Sequence, residues 1–251
     1  LNNREQVQRR RPLLVAHRGG VVSPQAPECS ATAIEAAMDV FDMIELDVRT
    51  SKDGVPVVFH DRTLLKACGV DKRIADLPVS EIIALKYLNT DTAILTLDSA
   101  LALCRLLSMG VMFDIKEADE AALQEIVRLT RKHGLENSAV TINGDATIQK
   151  HLKAVSRIRL LSVEQSDQMI RDSKEPLPLN GHFWFGLPKD VPLERVADFQ
   201  RHGALIIPGV NVFRYPREDH LKLAEKDIHR LREAGVDGFQ IDSVYLPFFS
   251  E

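Results

Sequence analysis

Short apolar runs alternate with helix-like stretches along almost the whole chain. The helix-like stretches tend to end in glycine, which takes the left-handed conformation at no steric cost, as at Gly110, Gly134, Gly203 and Gly235. Eight runs of four to six residues are rich in Val, Ile, Leu and Phe, as strands of a buried parallel sheet are: 13–17, 43–48, 111–116, 138–142, 157–161, 182–186, 204–207 and 238–241. Eight βα units in 251 residues predict an α/β fold, a (β/α)8 TIM barrel that forms one domain over 12–251. A doubly wound open sheet is the alternative, and no G-x-G-x-x-G after the first run supports it.

One strand-like run does not fit a simple βα count. VPVVFH (55–60) follows the run 43–48 too closely for a parallel crossover, which needs a dozen or more residues. We therefore predict a β-hairpin over 43–60 that extends the second barrel strand. If Thr50 lies opposite Val55, Glu45 faces His60, and a bulge at 53–54 would shift this register by one residue.

Composition narrows the function classes without choosing one. The formal net charge is −4, with 32 Lys and Arg against 36 Asp and Glu and no long block of one sign. This balance argues against a nucleic-acid partner or a broad anionic-membrane surface. No apolar run approaches the ~18 residues of a membrane span. Three cysteines without C-x-x-C spacing exclude a disulfide scaffold: Cys29, Cys68 and Cys104.

Residues 1–11 form a polar N-terminal extension that lacks the apolar segment of a signal peptide. We therefore expect a cytoplasmic protein. The chain begins with Leu, which leaves open that an upstream segment, an export signal included, was removed. The oligomeric state is also left open.

Carboxylates in two of the apolar runs suggest a metal site. Glu45 and Asp47 alternate with apolar residues, so both side chains lie on one face of their strand. Two acids on a buried face need a cation, a proton or an Arg partner, and a hard divalent ion meets that need. Asp114, two residues before Lys116, would supply a third carboxylate. The alternatives are an exposed edge strand and a structural Asp–Lys pair.

Two histidines stand where strands end, the place where barrels carry catalytic groups. His17 precedes Arg18, Gly19 and Gly20, which could hold a phosphate with a planar guanidinium and backbone N–H groups. His60 ends the second arm of the predicted hairpin. Two imidazoles beside a phosphate can serve as acid and base. Each of these residues also has a structural interpretation. The histidines could be packed or capping residues, and Arg18 could form an ordinary salt bridge.

Together these motifs resemble the glycerophosphodiester phosphodiesterase family over nearly the whole chain. The matching segments are AHRGG (16–20), APECS (26–30), MIELDVRTSKDGVPVVFHD (43–61), LTLDSAL (95–101), FDIK (113–116) and GVDGFQIDS (235–243). The resemblance implies a TIM barrel that hydrolyses small glycerophosphodiesters to an alcohol and glycerol 3-phosphate with a divalent metal, Mg²⁺ or Ca²⁺.

The resemblance also implies roles for individual residues. The metal ligands would be Glu45, Asp47 and Asp114. The acid–base pair would be His17 and His60, with Arg18 and Lys116 as catalytic groups that bind the phosphate and Glu28 as a supporting acid. In the implied mechanism one histidine deprotonates the neighbouring glycerol hydroxyl, which attacks phosphorus, and the other protonates the departing alcohol. A cyclic phosphate then opens with water, and the assignment of the two histidines stays open.

Three departures from the family pattern are visible. Asp114 replaces a longer Glu, and Cys29 stands where an Asn is usual, which we interpret as a packing residue. An aromatic residue is missing near Pro208, and Trp184 or Phe183 is the expected substitute in contact with substrate. This third departure bears on the leaving alcohol more than on the reaction.

Two other functions remain as alternatives. One is a lipid phosphodiesterase on the same barrel, similar to phospholipase D and the sphingomyelinase D enzymes, which share an Asp and a following lysine as in Asp114-Ile115-Lys116. The other is a non-catalytic barrel that binds phosphorylated ligands, since a fold alone does not fix a function. The complete set of chemically active residues favours an enzyme.

Overall fold

A computed structural model describes residues 12–161 and 179–249, so the predicted extension 1–11 lies outside the described residues. Its strands are β1 (Leu13–Ala16), β2 (Met43–Thr50), β3 (Pro56–Val58), β4 (Leu95–Thr96), β5 (Gly110–Ile115), β6 (Ala139–Thr141), β7 (Leu160–Leu161), β8 (His182–Trp184), β9 (Leu205–Ile206), β10 (Gly209–Val210) and β11 (Gly238–Ile241). Its α-helices are α1 (Ala31–Ala36), α2 (Leu65–Cys68), α3 (Val79–Ile82), α4 (Leu97–Leu106), α5 (Glu120–Lys132), α6 (Ala146–Val155), α7 (Val196–Arg201) and α8 (His220–Glu233).

Parallel pairing leads from strand to strand around a circle. β1 pairs with β2, β2 with β5, and β5 with β6. A bridge between Val140 and Arg159 joins β6 to the start of the β7 segment. The circle continues through β7, β8 and β9, and returns through β10 and β11 to β1. Because β9 and β10 belong to one segment of the chain, the circle consists of eight strand segments. The predicted (β/α)8 barrel is therefore confirmed.

Two apolar layers hold the barrel together. Inward-facing side chains fill its interior, and they are Leu13, Val15, Met43, Met112, Val140, Phe183, Leu205 and Ile207. Outward-facing side chains of the same strands pack under the helices; Ile44, Val111 and Phe239 are examples. Alternation along each strand separates the layers, so a polar residue in the inward series must lie inside the barrel.

The predicted hairpin is present, and its register differs from the expected one. β2 and β3 are antiparallel, with Thr50 opposite Pro56 and Val48 opposite Val58. The register with Thr50 opposite Val55 is therefore wrong by one residue. Five residues, 51–55, make the turn, in which the Val55 N–H donates to Ser51 Oγ and Gly54 has φ 79°. A left-handed residue at this position lengthens the turn, which moves the second arm along the first.

The hairpin is part of a larger excursion between β2 and α4. β4 adds to β3 as a third antiparallel strand. The excursion has a small hydrophobic cluster of its own: Val57, Phe59, Leu64, Ile74, Leu77, Ile82, Tyr87 and Ile94. This cluster gives the arm that carries His60 a fixed support beside the barrel.

All three cysteines are free thiols, with Cys29 and Cys104 buried. Within residues 12–161 and 179–249, no helix is long and apolar enough to cross a membrane.

Candidate active site

Three carboxylates converge where β2 and β5 end. Met43 belongs to the interior cluster, and Glu45 and Asp47 follow it on the same face of β2. The register of β2 and β5 pairs Asp47 with Asp114. Ligand oxygens of Glu45, Asp47 and Asp114 all lie within 4.8 Å of one another. The shorter Asp at 114 therefore still reaches the other two acids.

The electrostatics of this group indicate a deficit of positive charge. Glu45 is 1% exposed, and burial together with the charge of Asp47 raises its pKa well above the ordinary value. Lys116 Nζ lies 2.8 Å from Asp47 Oδ1 and also donates to Asp114. Burial of the ammonium opposes its charge, yet the carboxylates of Asp47 and Asp114 raise the pKa of Lys116. One ammonium facing three carboxylates leaves a donor set that fits a hard divalent cation.

A tight turn after β1 positions His17 and Arg18. Arg18 has φ 53° and ψ 43°, a left-handed conformation that is rare outside glycine, and its backbone N–H donates to Glu45 Oε2 at 2.6 Å. Gly20 follows with φ 135°, and a Cβ there would lie 2.0 Å from the Ala33 carbonyl oxygen. Close packing against the start of α1 thus explains the glycine. Gly19, which the sequence suggests together with Gly20 for anion binding, packs in the same way against the backbone of Cys29.

His17 is oriented by an acid from the last barrel strand. Its Nδ1 lies 2.6 Å from Asp242 Oδ1, just beyond β11. The second carboxylate oxygen accepts the Val212 N–H at 2.6 Å, which fixes the acid in turn. Burial of Asp242 favours its neutral form, but the hydrogen bond and charge of His17 outweigh this and hold its pKa below the ordinary value. Asp242 therefore remains a carboxylate that accepts the Nδ1–H of His17.

His60 has a matching support from the hairpin. Its Nδ1 lies 2.8 Å from Asp61 Oδ1. The carbonyl oxygen of His60 accepts two hydrogen bonds from Arg49, from Nε at 3.0 Å and from Nη2 at 2.8 Å. Arg49 continues the inward series of β2 two residues beyond Asp47, so one strand carries two of the acids and also holds His60 in place.

Both imidazoles leave the same ring atom, Nε2, available for proton transfer. Each uses Nδ1 for a carboxylate, and neither Nε2 has a hydrogen-bond partner among the described residues. A neutral imidazole that donates from Nδ1 can accept a proton at Nε2, and a protonated one can donate from it. The pair is thus equipped for proton transfer on a molecule bound between them.

Arg18 provides a binding group for an anion. Nη1 donates to Glu28 Oε2 at 2.8 Å. Arg18 Nε is buried, and in the described part of the structure it has no hydrogen-bond partner. A guanidinium that lines the cleft and has one edge held by a carboxylate is suited to a phosphate oxygen. The structure thus pairs Glu28 with Arg18, and its role as a supporting acid stays a prediction.

These groups line one cleft of about 220 Å³ at the carboxyl ends of the strands. Its lining residues are His17, Arg18, Glu45, Asp47, His60, Asp114, Lys116, Ile142, Phe185, Asn211, Phe213, Arg214 and Gln240. All seven residues predicted as catalytic or metal-binding are among them. Enzymes with a (β/α)8 barrel bind their ligands at the carboxyl ends of the strands, where this cleft lies.

Trp184 is the predicted contact that the structure places elsewhere. Phe183 lies in the interior cluster, so Trp184, the next residue of β8, faces outward and packs in the layer under the helices. Phe183 is fully buried below the cleft. Phe185 and Phe213 supply the aromatic lining instead.

Cys29 behaves as a packing residue, as expected. It is fully buried, and its thiol donates to Asp47 Oδ2 at 3.5 Å. Burial and the nearby charge of Asp47 raise the pKa of the thiol well above its ordinary value, so it is protonated and unreactive as a nucleophile.

Sequence reasoning missed several residues of this site. Asp61 follows His60 directly, and Asp242 lies in the quoted segment 235–243, so the motifs did contain both. Their pairing with histidines was the hidden part, because His17 and Asp242 are 225 residues apart. Phe213 and Arg214 had no sequence signal, since they follow the run in which the expected aromatic residue is absent.

Comparison with known proteins identifies the family. The profile of the glycerophosphoryl diester phosphodiesterase family matches residues 17–160, more than half of the chain. The chain belongs to this family. The matched part contains both histidines and all three acids described above.

Curated relatives cover part of the chain. Glycerophosphodiester phosphodiesterase 1 of Rattus norvegicus is 35% identical over 124 residues, 45% of this chain and 37% of the rat protein. The chain thus matches little more than a third of that relative's length.

Solved structures of this family match the fold over nearly the full length. A glycerophosphodiester phosphodiesterase of Agrobacterium tumefaciens superimposes with a TM-score of 0.71 at 21% identity, over 95% of this chain and 99% of that one. A phosphodiesterase of Oleispira antarctica, solved in complex with the product sn-glycerol-3-phosphate, has a TM-score of 0.71 at 20% identity, over 96% of this chain and 97% of that one. Both likenesses support the barrel fold.

Proposed function

We propose that this protein hydrolyses glycerophosphodiesters to an alcohol and sn-glycerol 3-phosphate. The observation that carries the proposal is the pair of carboxylate-oriented imidazoles in one cleft with Arg18 and three clustered acids. Family membership and the product named for the Oleispira antarctica relative support the same substrate class.

Glu45, Asp47 and Asp114 would hold a divalent cation, Mg²⁺ or Ca²⁺. When bound, the cation neutralises charge on the phosphodiester and on the three acids. Arg18 and Lys116, which both line the cleft, bind the phosphate oxygens.

The two histidines carry the protons. Nε2 of one removes the proton of the glycerol hydroxyl next to the phosphate, and that oxygen attacks phosphorus. Nε2 of the other gives a proton to the departing alkoxide, so the alcohol leaves neutral and a cyclic phosphate remains. Water then opens the ring, with the two proton transfers reversed, which restores both histidines.

Product analysis with and without metal tests this function. Protein treated with EDTA should lose turnover of glycerophosphoglycerol, and added Mg²⁺ or Ca²⁺ should restore release of glycerol 3-phosphate. Asp114→Asn should require a higher metal concentration for half-maximal activity, because one charged ligand becomes neutral. Arg128→Gln, on the exposed face of α5, serves as a charge-change control.

Other products would identify the alternatives. Release of a phosphorylated head group, or a cyclic lipid product from a choline lipid, would indicate the lipid phosphodiesterase. Tight binding of glycerophosphodiesters without turnover under any metal condition would indicate a non-catalytic barrel.

A further inference from the structure

The turn after β10 forms a wall of the cleft that the mechanism above does not use. Residues Val212–Arg214 make one 3-10 turn, and Phe213 in its middle is 63% exposed. The Phe213 ring centroid lies 5.8 Å from that of His17, and the Arg214 guanidinium carbon lies 4.9 Å from the Phe213 centroid. An aromatic ring and a cation thus lie next to one of the two catalytic imidazoles.

Arg214 differs from the other cations of the cleft. Arg18 is paired with Glu28, and Lys116 with two aspartates. Arg214 Nε donates to the neutral Asn211 Oδ1 at 3.0 Å, and no carboxylate of the described residues forms an ion pair with it. Asp190 and Asp242 act on it only at longer range, as does the hydroxyl of Tyr215.

A half-buried guanidinium without a carboxylate partner favours an anionic ligand. Burial lowers the pKa of Arg214, which reflects the loss of hydration of its charge. A partner of opposite sign in the cleft would restore the lost interaction, while a cationic group would be repelled.

Topology places Arg214 on a defined side of the reaction centre. β10 pairs with β11 and β11 with β1, so the turn lies beyond His17 and away from the acids of β2 and β5. A phosphodiester bound between the acids and Arg18 has two substituents, and the one that extends past His17 reaches Phe213 and Arg214. That substituent meets a positive charge, and the guanidinium already covers one face of the Phe213 ring, a face that could otherwise receive a quaternary ammonium.

We propose that Arg214, held by Asn211 and Phe213, makes this cleft select leaving alcohols that carry a negative charge and discriminate against those that carry a quaternary ammonium. The proposal rests on the proposed function and names the substrate class within it. Neutral polyols fall between the two classes.

Three substrates that share the glycerophosphate half test this selection. They are glycerophosphoinositol 4-phosphate, glycerophosphoglycerol and glycerophosphocholine, with anionic, neutral and cationic leaving alcohols. The wild-type protein should rank their kcat/KM values in that order. Arg214→Gln should reduce the ratio of anionic to cationic substrate by about ten- to a hundredfold, as expected for loss of a hydrogen bond to a charged group. Arg214→Glu should reverse the ranking.

A matched control comes from the same loop. Arg217 is exposed and does not line the cleft, so Arg217→Gln should leave all three kcat/KM values and their ratios unchanged. Thermal midpoints of both Gln variants establish that each is folded.

The outcomes separate this proposal from the function on which it rests. An equal loss for all three substrates in Arg214→Gln would overturn the selection, because Arg214 would then act on the phosphate or on glycerol. Unchanged ratios would overturn it as well, while hydrolysis itself would stand. No turnover of any glycerophosphodiester by the wild-type protein would overturn both.

Discussion

His17 and His60 come from different elements and reach the same chemical arrangement. Each ring uses Nδ1 for a carboxylate at 2.6 or 2.8 Å, and both histidines line the cleft. The motifs predicted the histidines because both stand at strand ends. They could not predict that Asp242 orients His17, since that contact depends on β11 pairing with β1 to close the barrel.

Substitution of Asp242 tests whether its carboxylate orients the His17 ring. In Asp242→Asn the amide can present an N–H to Nδ1, which favours the tautomer with the proton on Nε2. We expect kcat to fall by about 10²- to 10⁴-fold with little change in KM, by analogy with the same change in serine proteases. Steady-state kinetics with glycerophosphoglycerol measures it, with circular dichroism to confirm folding. An activity within twofold of wild type would show that Asp242 is not needed to orient His17.

We predict that the backbone conformation at Cys29, more than the chemistry of its thiol, decides which residues this position accepts. It has φ 60°, a left-handed value that asparagine tolerates and β-branched residues do not. Cys29→Val should lower the free energy of unfolding by about 2 kcal/mol. Cys29→Asn should retain or raise it, since the amide can also donate to Asp47. Urea denaturation compares the two, and a Val variant more stable than the Asn variant would contradict the explanation.

At the scale of elements, β2 organises the site. Along its inward face it presents Met43 to the interior, then Glu45 and Asp47 to the cleft, and finally Arg49 to His60. The alternation was readable from sequence. The register of the hairpin was not, because it depends on the backbone conformation of the turn at Gly54.

Arg49 connects the end of β2 to His60 through hydrogen bonds. Substitution by Lys removes its planar guanidinium and keeps its positive charge. Arg49→Lys cannot donate two N–H groups from a planar fork to the His60 carbonyl. We expect kcat to fall about tenfold with the metal requirement unchanged, because the three acids keep their places. Arg62→Lys is the control, an exposed arginine of the same excursion. A change in half-saturating metal concentration, with kcat unaltered, would contradict a role through His60.

At the scale of the whole molecule, the groups proposed for catalysis and a group expected to stabilise the fold lie at opposite ends of the barrel. The cleft lies at the carboxyl ends of the strands, and a buried arginine lies at the amino ends. Arg159, just before β7, is 3% exposed and donates to the carbonyl oxygens of His182 and Gly203. Burial lowers its pKa to about 10, with the charge of Asp237 acting in the opposite direction.

Arg159→Met should therefore affect stability alone. Its loss leaves the carbonyl oxygens of His182 and Gly203 without these donors and Asp237 with less positive charge nearby. The free energy of unfolding should fall by about 2–4 kcal/mol, while kcat per folded molecule stays at the wild-type value. Urea denaturation and active-site-normalised kinetics measure both. Arg128→Met, on the exposed surface of α5, should change stability by about 0.5 kcal/mol or less.

The same scale explains what the sequence could predict of the fold. The eight apolar runs predict the eight barrel strands because each strand is buried on both faces. Burial on both faces makes the sequence of a strand largely apolar. The excursion from β3 to β4 was only partly visible, since its small cluster uses scattered apolar residues such as Leu64 and Tyr87 rather than a periodic pattern. The side of the cleft formed by Phe213 and Arg214 depends on tertiary packing and had no local pattern.

The most direct test of the two-histidine account is ³¹P NMR of glycerophosphoglycerol incubated with Mg²⁺ and wild-type, His17→Ala or His60→Ala protein. We predict that the wild-type protein converts the diester signal to that of glycerol 3-phosphate. Each folded variant should be slower by about 10³-fold or more, because one proton transfer is lost. Conversion by either folded variant at a rate near that of wild type would contradict the account.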